Sequence, residues 1–199
     1  MTKRGPYRKG EAKRAEILQA ALEMFAVEGY RGTSLRKVAA QCGLSMPGIM
    51  HYFDSREDLL TQVLLKRDEA ARARQGTPVT LQDVLDVIDE GQRTPGLVEL
   101  FVSLAAAASD TGHPAHEFFA ARYREFRSTL AERLATAQEE GRIRATLPPE
   151  RLAILMLAVV DGIQLQWMVN RSIEMSQAVV DLFQLLDWAP PPTDAPETA

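Results

Sequence analysis

Between Thr33 and Tyr52 the chain gathers the side chains best suited to chemistry with another molecule. They are hydroxyls at Thr33, Ser34, Ser45 and Tyr52, cations at Arg36 and Lys37, and an imidazole at His51. None of this is a catalytic set. The chain holds one cysteine and three histidines, without the convergent acid, base and nucleophile that an enzyme needs, and no phosphate loop or metal-ligand spacing. What the residues suit is bonding to phosphate oxygens and base edges.

The elements that must position them follow from the same stretch. Thr33 is placed to cap a helix over Ser34–Cys42, with Val38, Ala39 and Cys42 on its apolar side. Gly43 supplies the turn, where a positive φ costs a glycine nothing. Ser45 caps a second helix, and Pro47 lies in its first turn, where the missing N–H is harmless. Ile49 and Phe53, four apart, pack that helix inward. Ser45, Met46, Pro47, Gly48, Met50, His51 and Tyr52 are left on or near the outer face. Two short helices and a tight turn make a helix-turn-helix, whose second helix is free to read DNA.

The charge pattern agrees. The chain of 199 residues has a net charge of −4, yet residues 1–74 carry fourteen Lys/Arg against nine Asp/Glu, and residues 75–199 nine against eighteen. A basic first third on an acidic remainder places the meeting with a polyanion in the first third. A single cysteine excludes an internal disulfide and fits a reducing cytoplasm. No run is expected to be long and apolar enough to cross a membrane, because Asp161 and two glutamines interrupt the most apolar segment, Leu152–Val169.

Helical spacing recurs throughout and strand alternation is scarce, which predicts an all-α chain of about nine helices. Residues 1–10 read as a flexible basic arm, with Lys3, Arg4, Arg8 and Lys9. Residues 11–54 make a three-helix helix-turn-helix domain, whose first helix, from about Glu11 to Glu28, stops at Gly29. A connecting helix covers 55–74, opened by Ser55 as cap with Glu57 and Asp58 in its first turn. Gln75-Gly-Thr-Pro-Val marks a boundary. Residues 75–188 form a helical C-terminal domain, and the proline-rich 189–199 a disordered tail. The segment from about Pro149 to Asn170 is apolar on nearly all sides, so it needs two packing partners, one of which could be a second subunit.

The motif residues carry a resemblance. Ile17, Ala21, Phe25, Gly29-Tyr30, Thr33, Val38-Ala39, Gly43-Leu44-Ser45, Gly48-Ile49, Tyr52-Phe53, Ser55-Arg56-Glu57 and Leu59-Leu60 resemble, in order and spacing, the TetR family of bacterial transcriptional regulators. The resemblance covers about residues 13–66. The C-terminal part matches only in helix number and order.

It implies a cytoplasmic bacterial regulator, most simply a repressor, which binds a palindromic double-stranded operator as a homodimer. Its last two helices would pair with their twins, and a small, largely apolar effector in the C-terminal domain would release the DNA. The connecting helix is the expected lever. It implies base-facing positions for Arg36, Met46, Pro47 and His51, and phosphate contacts for Thr33, Ser34, Lys37, Ser45, Gly48, Tyr52 and Arg56. The sequence departs from the family pattern at Met50, where a tyrosine is usual, and at Arg56, where a lysine is usual. Tyr52 has a packing role as its alternative.

Effector-pocket candidates are Phe101, Leu104, Phe119, Tyr123, Phe126, Met156, Asp161, Gln164 and Trp167. Asp161 and Gln164 have two readings: a polar contact across the dimer or to a neighbouring helix, or a ligand anchor. Cys42 reads as a small core hydrophobe, and His113 and His116 as loop residues near a pocket mouth. No cofactor and no metal is expected. Two competing readings remain: a ligand-independent regulator whose C-terminal domain only dimerises, and a helical protein-interaction module.

Overall fold

The structure is a computed structural model and describes residues 6–74, 81–144 and 146–188. Among these residues nine helices form and no strand: α1 (Pro6–Gly32), α2 (Leu35–Gln41), α3 (Met46–Ile49), α4 (Arg56–Arg74), α5 (Leu81–Arg93), α6 (Pro95–Ala107), α7 (His116–Glu139), α8 (Pro149–Val169) and α9 (Met175–Leu185). The all-α expectation holds.

The boundary residues explain where helices start and stop. Pro95 and Pro149 open α6 and α8 at the first turn. Ser55 Oγ accepts the Asp58 N–H at 3.0 Å while Asp58 Oδ2 accepts the Asp54 N–H at 3.0 Å, so two otherwise orphaned donors at the start of α4 are satisfied reciprocally. Two boundaries differ from expectation. Residues 6–10, expected in the flexible arm, already belong to α1, because Pro6 suits a first helical turn and Gly10 alone is too weak a breaker. Residues 1–5, the linker at 75–80 and the tail 189–199 lie outside the described residues. Second, Gly29 adopts φ +74 and breaks the α1 ladder where a stop was expected, and a further helical turn follows it to Gly32.

The chain divides into two compact units. Among the described residues, the first comprises 6–74 and 90–121, and the second 81–89, 122–144 and 146–188. Within the first, α1 and α6 are the most extensively packed helix pair. Ile17, Ala21 and Phe25 of α1, Leu59, Leu60, Val63 and Leu64 of α4, and Leu97, Val98, Leu100 and Phe101 of α6 are all buried. Each of these side chains larger than alanine contributes roughly 1.5–3 kcal/mol on leaving water. The α1–α6 crossing depends on two glycines. A Cβ on Gly96 would lie 1.9 Å from the Phe25 carbonyl oxygen and 2.7 Å from Gly29 Cα.

In the second unit α8 packs on α9. Leu134 and Ala137 of α7, Leu152, Ala153, Met156 and Trp167 of α8, and Met175, Val179 and Phe183 of α9 are buried. Trp188 stacks on Phe183 at 4.6 Å and pairs through its backbone with Ile143. Ser176 Oγ donates to Asp89 Oδ1 at 2.5 Å, tying α9 to the C-terminal half of α5.

Contrary to the sequence expectation, α8 is long and apolar enough to cross a membrane by length and composition. Three interrupting polar residues do not offset so many aliphatic neighbours. Little of α8 is buried within the chain: Ile154 and Leu165 are each 53% exposed and Val169 85%.

Candidate nucleic-acid interface

The helix-turn-helix is assembled from local bonds. Ser34, in an extended conformation, caps α2: its Oγ accepts the Lys37 N–H at 3.3 Å. Thr33 was the expected cap. It is instead 4% exposed, with its hydroxyl donating to the Met24 carbonyl at 3.3 Å. Adjacent Thr and Ser are equally good caps by type, and packing decided between them. A buried Thr33 presents no hydroxyl to a polyanion.

Val38, Ala39 and Cys42 face inward as expected, and Gly43 makes the turn at φ +65. Burial pushes the Cys42 thiol above its ordinary range, which suits a core residue and not a reactive thiolate. Ser45 Oγ then accepts the Gly48 N–H at 3.2 Å, and α3 runs for only four residues, with Pro47 in its first turn. Ile49 and Phe53 are buried and anchor it.

Ser34, Arg36, Lys37, Ser45, Pro47, Met50, His51 and Arg56 are exposed, and Met46, Gly48 and Tyr52 half-exposed. The cations differ in what they already hold. Lys37 Nζ donates to Glu28 Oε2 at 2.6 Å and to the Gly32 carbonyl at 2.8 Å. Arg56 lies over the Tyr30 ring at 5.3 Å. His51 meets Tyr52 edge-on at 5.5 Å. Arg36 makes no ion pair with the described residues.

Several supporting residues were not singled out from sequence. Lys13 Nζ donates to the Cys42 carbonyl at 2.8 Å and to Glu16 Oε1 at 2.7 Å, and its pKa is raised chiefly by the bond to Glu16. Lys13 thereby serves the C-terminal end of α2, where a cation suits the exposed carbonyls. The i, i+3 spacing of Lys13 and Glu16 was visible in the sequence, but the link to Cys42, twenty-nine residues on, was not. Arg14 covers the Phe53 ring at 5.0 Å. Glu28 and Glu99, which hold Lys37 and the Tyr30 N–H, also went unremarked.

The matches to known proteins agree with this geometry. The profile of bacterial regulatory proteins of the TetR family matches residues 17–63, the helix-turn-helix and its supports. The profile of the BetI-type transcriptional repressor C-terminal domain matches residues 81–185, more than half of the chain.

The chain belongs to the TetR family.

It is therefore a DNA-binding transcriptional regulator and not an enzyme. The transcriptional repressor AcnR of Corynebacterium efficiens is 29% identical over 86% of this chain and 90% of its own length. The regulator UidR of Escherichia coli K12 is 24% identical over 75% of this chain and 79% of its own. A TetR regulator from Chloroflexus aurantiacus superposes with a TM-score of 0.63 at 28% identity, over 90% of this chain and 94% of that one. A TetR regulator from Haloarcula marismortui reaches 0.72 at 19% identity, over 89% and 97%, and shows the shared fold.

The nine pocket candidates of this TetR-family chain divide between its units. Phe101, Leu104 and Phe119 are buried in the first, where the two phenylalanine rings lie 5.7 Å apart and Arg67 covers Phe101 at 5.3 Å. Met156 and Trp167 are buried in the second, with Tyr123, Phe126, Asp161 and Gln164 half-buried. Tyr123 Oη of α7 donates to Asp161 Oδ2 of α8 at 2.7 Å. Burial, then that bond, pushes the Tyr123 phenol far above its ordinary range. Arg122 covers Phe126 at 4.5 Å, and Arg171 covers Trp167 at 3.7 Å. His113 lies in the loop before α7, where its Nδ1 accepts the Ala115 N–H at 3.2 Å, whereas His116, expected in the loop, is the first residue of α7, with Nδ1 2.9 Å from the Ala108 carbonyl.

Proposed function

We propose that this regulator is a homodimeric repressor that reads a two-fold symmetric operator and releases it when a small, largely apolar effector binds. The observation that carries the reading is the outer face of the helix-turn-helix. There Arg36 stands exposed on α2, and Ser45, Pro47 and His51 stand exposed in or beside α3, which Ile49 and Phe53 hold from behind. Arg36 offers a fork suited to guanine O6 and N7. Met46 and Pro47 offer only apolar contact, to thymine methyls among others. Ser34, Lys37, Ser45, Gly48, Tyr52 and Arg56 approach phosphates, and Lys37 exchanges Glu28 for a phosphate oxygen on binding. Because hydrogen-bonding groups on α3 are few, DNA shape contributes to sequence choice.

The exposed face of α8, with Ile154, Leu155, Leu165 and Val169, together with Leu185 of α9, supports dimerisation through these helices. Two reading helices would then sit roughly 34–36 Å apart, one DNA turn. The effector part of the reading rests on what is typical of the family. A ligand-independent regulator is favoured by a specific observation: the Tyr123–Asp161 bond satisfies the polar pair of the second unit internally.

Charge reversal of Arg36, Lys37 and Arg56 together should abolish measurable affinity for random duplex DNA at near-physiological salt, while helicity is kept. Unchanged affinity would support a protein-interaction module instead. Operator affinity that stays constant at matched salt for every compound shown by calorimetry to bind would leave the ligand-independent reading.

A further inference from the structure

We propose that Glu99 of α6 is a positioning residue for DNA reading: its carboxylate holds the peptide through which α1 hands over to α2. The inference rests on the DNA-binding reading above and adds a residue outside the helix-turn-helix.

At Gly29 the backbone leaves the helical region, with φ +74 and ψ 175. The next N–H, that of Tyr30, is accepted by Glu99 Oε2 at 3.2 Å, and Glu99 Oε1 lies 3.6 Å from Arg31 Nε. The carboxylate is largely shielded, while Arg31 is almost fully exposed. The fit leaves no slack. A Cβ on Gly29 would lie 2.7 Å from Glu99 Oε2, and Gly96, one turn before Glu99, admits no side chain against the Phe25 carbonyl.

A carboxylate beside the C-terminal turn of a helix opposes the helix dipole. Its place there is explained by the one displaced N–H that it binds, since a charge-assisted bond is about twice as strong as a neutral one. From that point the chain is pinned at nearly every step to α2. The Thr33 N–H bonds the Gly29 carbonyl at 3.2 Å, Lys37 Nζ bonds the Gly32 carbonyl at 2.8 Å, and Ser34 caps the helix. Loss of Glu99 releases the first pin. The reading helices then sample more orientations, and affinity for the correct site falls with the competent fraction. Contacts to phosphates in general do not fall, because no cation is lost and Arg31 is freed.

The test uses the full chain and two DNA probes: a duplex selected by the wild-type protein from a random-sequence pool, and an unselected random duplex. Glu99→Ala should bind the selected duplex about tenfold more weakly. It should bind random duplex at least as well as wild type, and exchange its Tyr30 amide hydrogen faster. Glu99→Gln keeps an acceptor for the Tyr30 N–H and should stay within about twofold of wild type on both probes. Circular dichroism and titrated active fraction exclude simple unfolding. The proposal is overturned if Glu99→Ala matches wild type on the selected duplex, if both probes lose the same factor, or if Glu99→Gln is as weak as Glu99→Ala. Failure of the DNA-binding reading itself shows separately, as wild-type protein that does not distinguish the two probes.

Discussion

Lys37 is a side chain that the fold already uses and that the proposed DNA contact would share. In the free protein its ammonium bridges Glu28 and the Gly32 carbonyl. The pair is largely exposed, so it is worth at most about 1 kcal/mol. Glu28→Gln should therefore raise affinity for random duplex by up to about fivefold, measured by fluorescence anisotropy across a salt series. An unchanged affinity would show that Glu28 does not compete with phosphate. Tyr123 makes a pH prediction. A phenol whose folded pKa is raised binds its proton more tightly when folded, so its contribution is intact below the ordinary value of 10.0 and is lost as pH climbs beyond it. One of the four tyrosines should thus resist ionisation above pH 10.0 until the second unit unfolds, read as phenolate absorbance, and Tyr123→Phe should remove that step. The sequence displayed most residue roles in the helix-turn-helix, because a turn glycine, two Ser/Thr caps and an inward i, i+4 pair are local signals. It did not distinguish Thr33 from Ser34, since only burial of Thr33 against α1 separates two adjacent cap formers.

At the scale of elements, helix positions were legible and helix partners less so. Apolar periodicity and a serine or proline start located α4 and α8 to within a residue of the observed limits. α6 is buried and packs on α1, but nothing in its residue pattern named α1 as the partner. That pairing depends on Gly29 and Gly96, seemingly ordinary glycines sixty-seven positions apart. Gly96→Ala is expected to lower stability by roughly 1–3 kcal/mol or more through overpacking. Gly91→Ala, whose Cβ would meet only Val98 Cγ2 at 3.4 Å, should be near neutral or mildly stabilising. Urea denaturation of both variants checks the contrast, and equal midpoints would mean that α1 and α6 do not approach as closely as the structure has them.

For the whole molecule, the surplus of apolar surface on α8 and the uneven charge point to a division of labour. Under the proposed function the basic third would meet DNA, and the face of α8 a second copy of the chain. Leu165→Glu with Ile154→Glu should convert the dimer to monomer in sedimentation velocity. Affinity for a symmetric selected duplex should fall by two orders of magnitude or so, as two linked half-sites become independent, with little change on random duplex. A wild-type protein that sediments as a monomer at micromolar concentration would remove the dimer from the proposal. This face was visible in the sequence as a helix with too many apolar sides. The choice between a second subunit and a lipid phase was not, because the same side chains satisfy both.

The membership of α6 in the first unit bears on modular engineering. The linker near residue 75 invites a cut that would yield a portable reading head, to be grafted onto a sensor of another specificity. Such a fragment of residues 1–74 would leave behind Leu97, Val98, Leu100 and Phe101, and strip the cover from Ile17, Ala21 and Phe25. It should express as a poorly cooperative, aggregation-prone peptide. A chimera that exchanges the sensor while retaining residues 90–121 should keep its melting transition. The seam for swapping parts in this protein runs through α5 and α7, not through the linker.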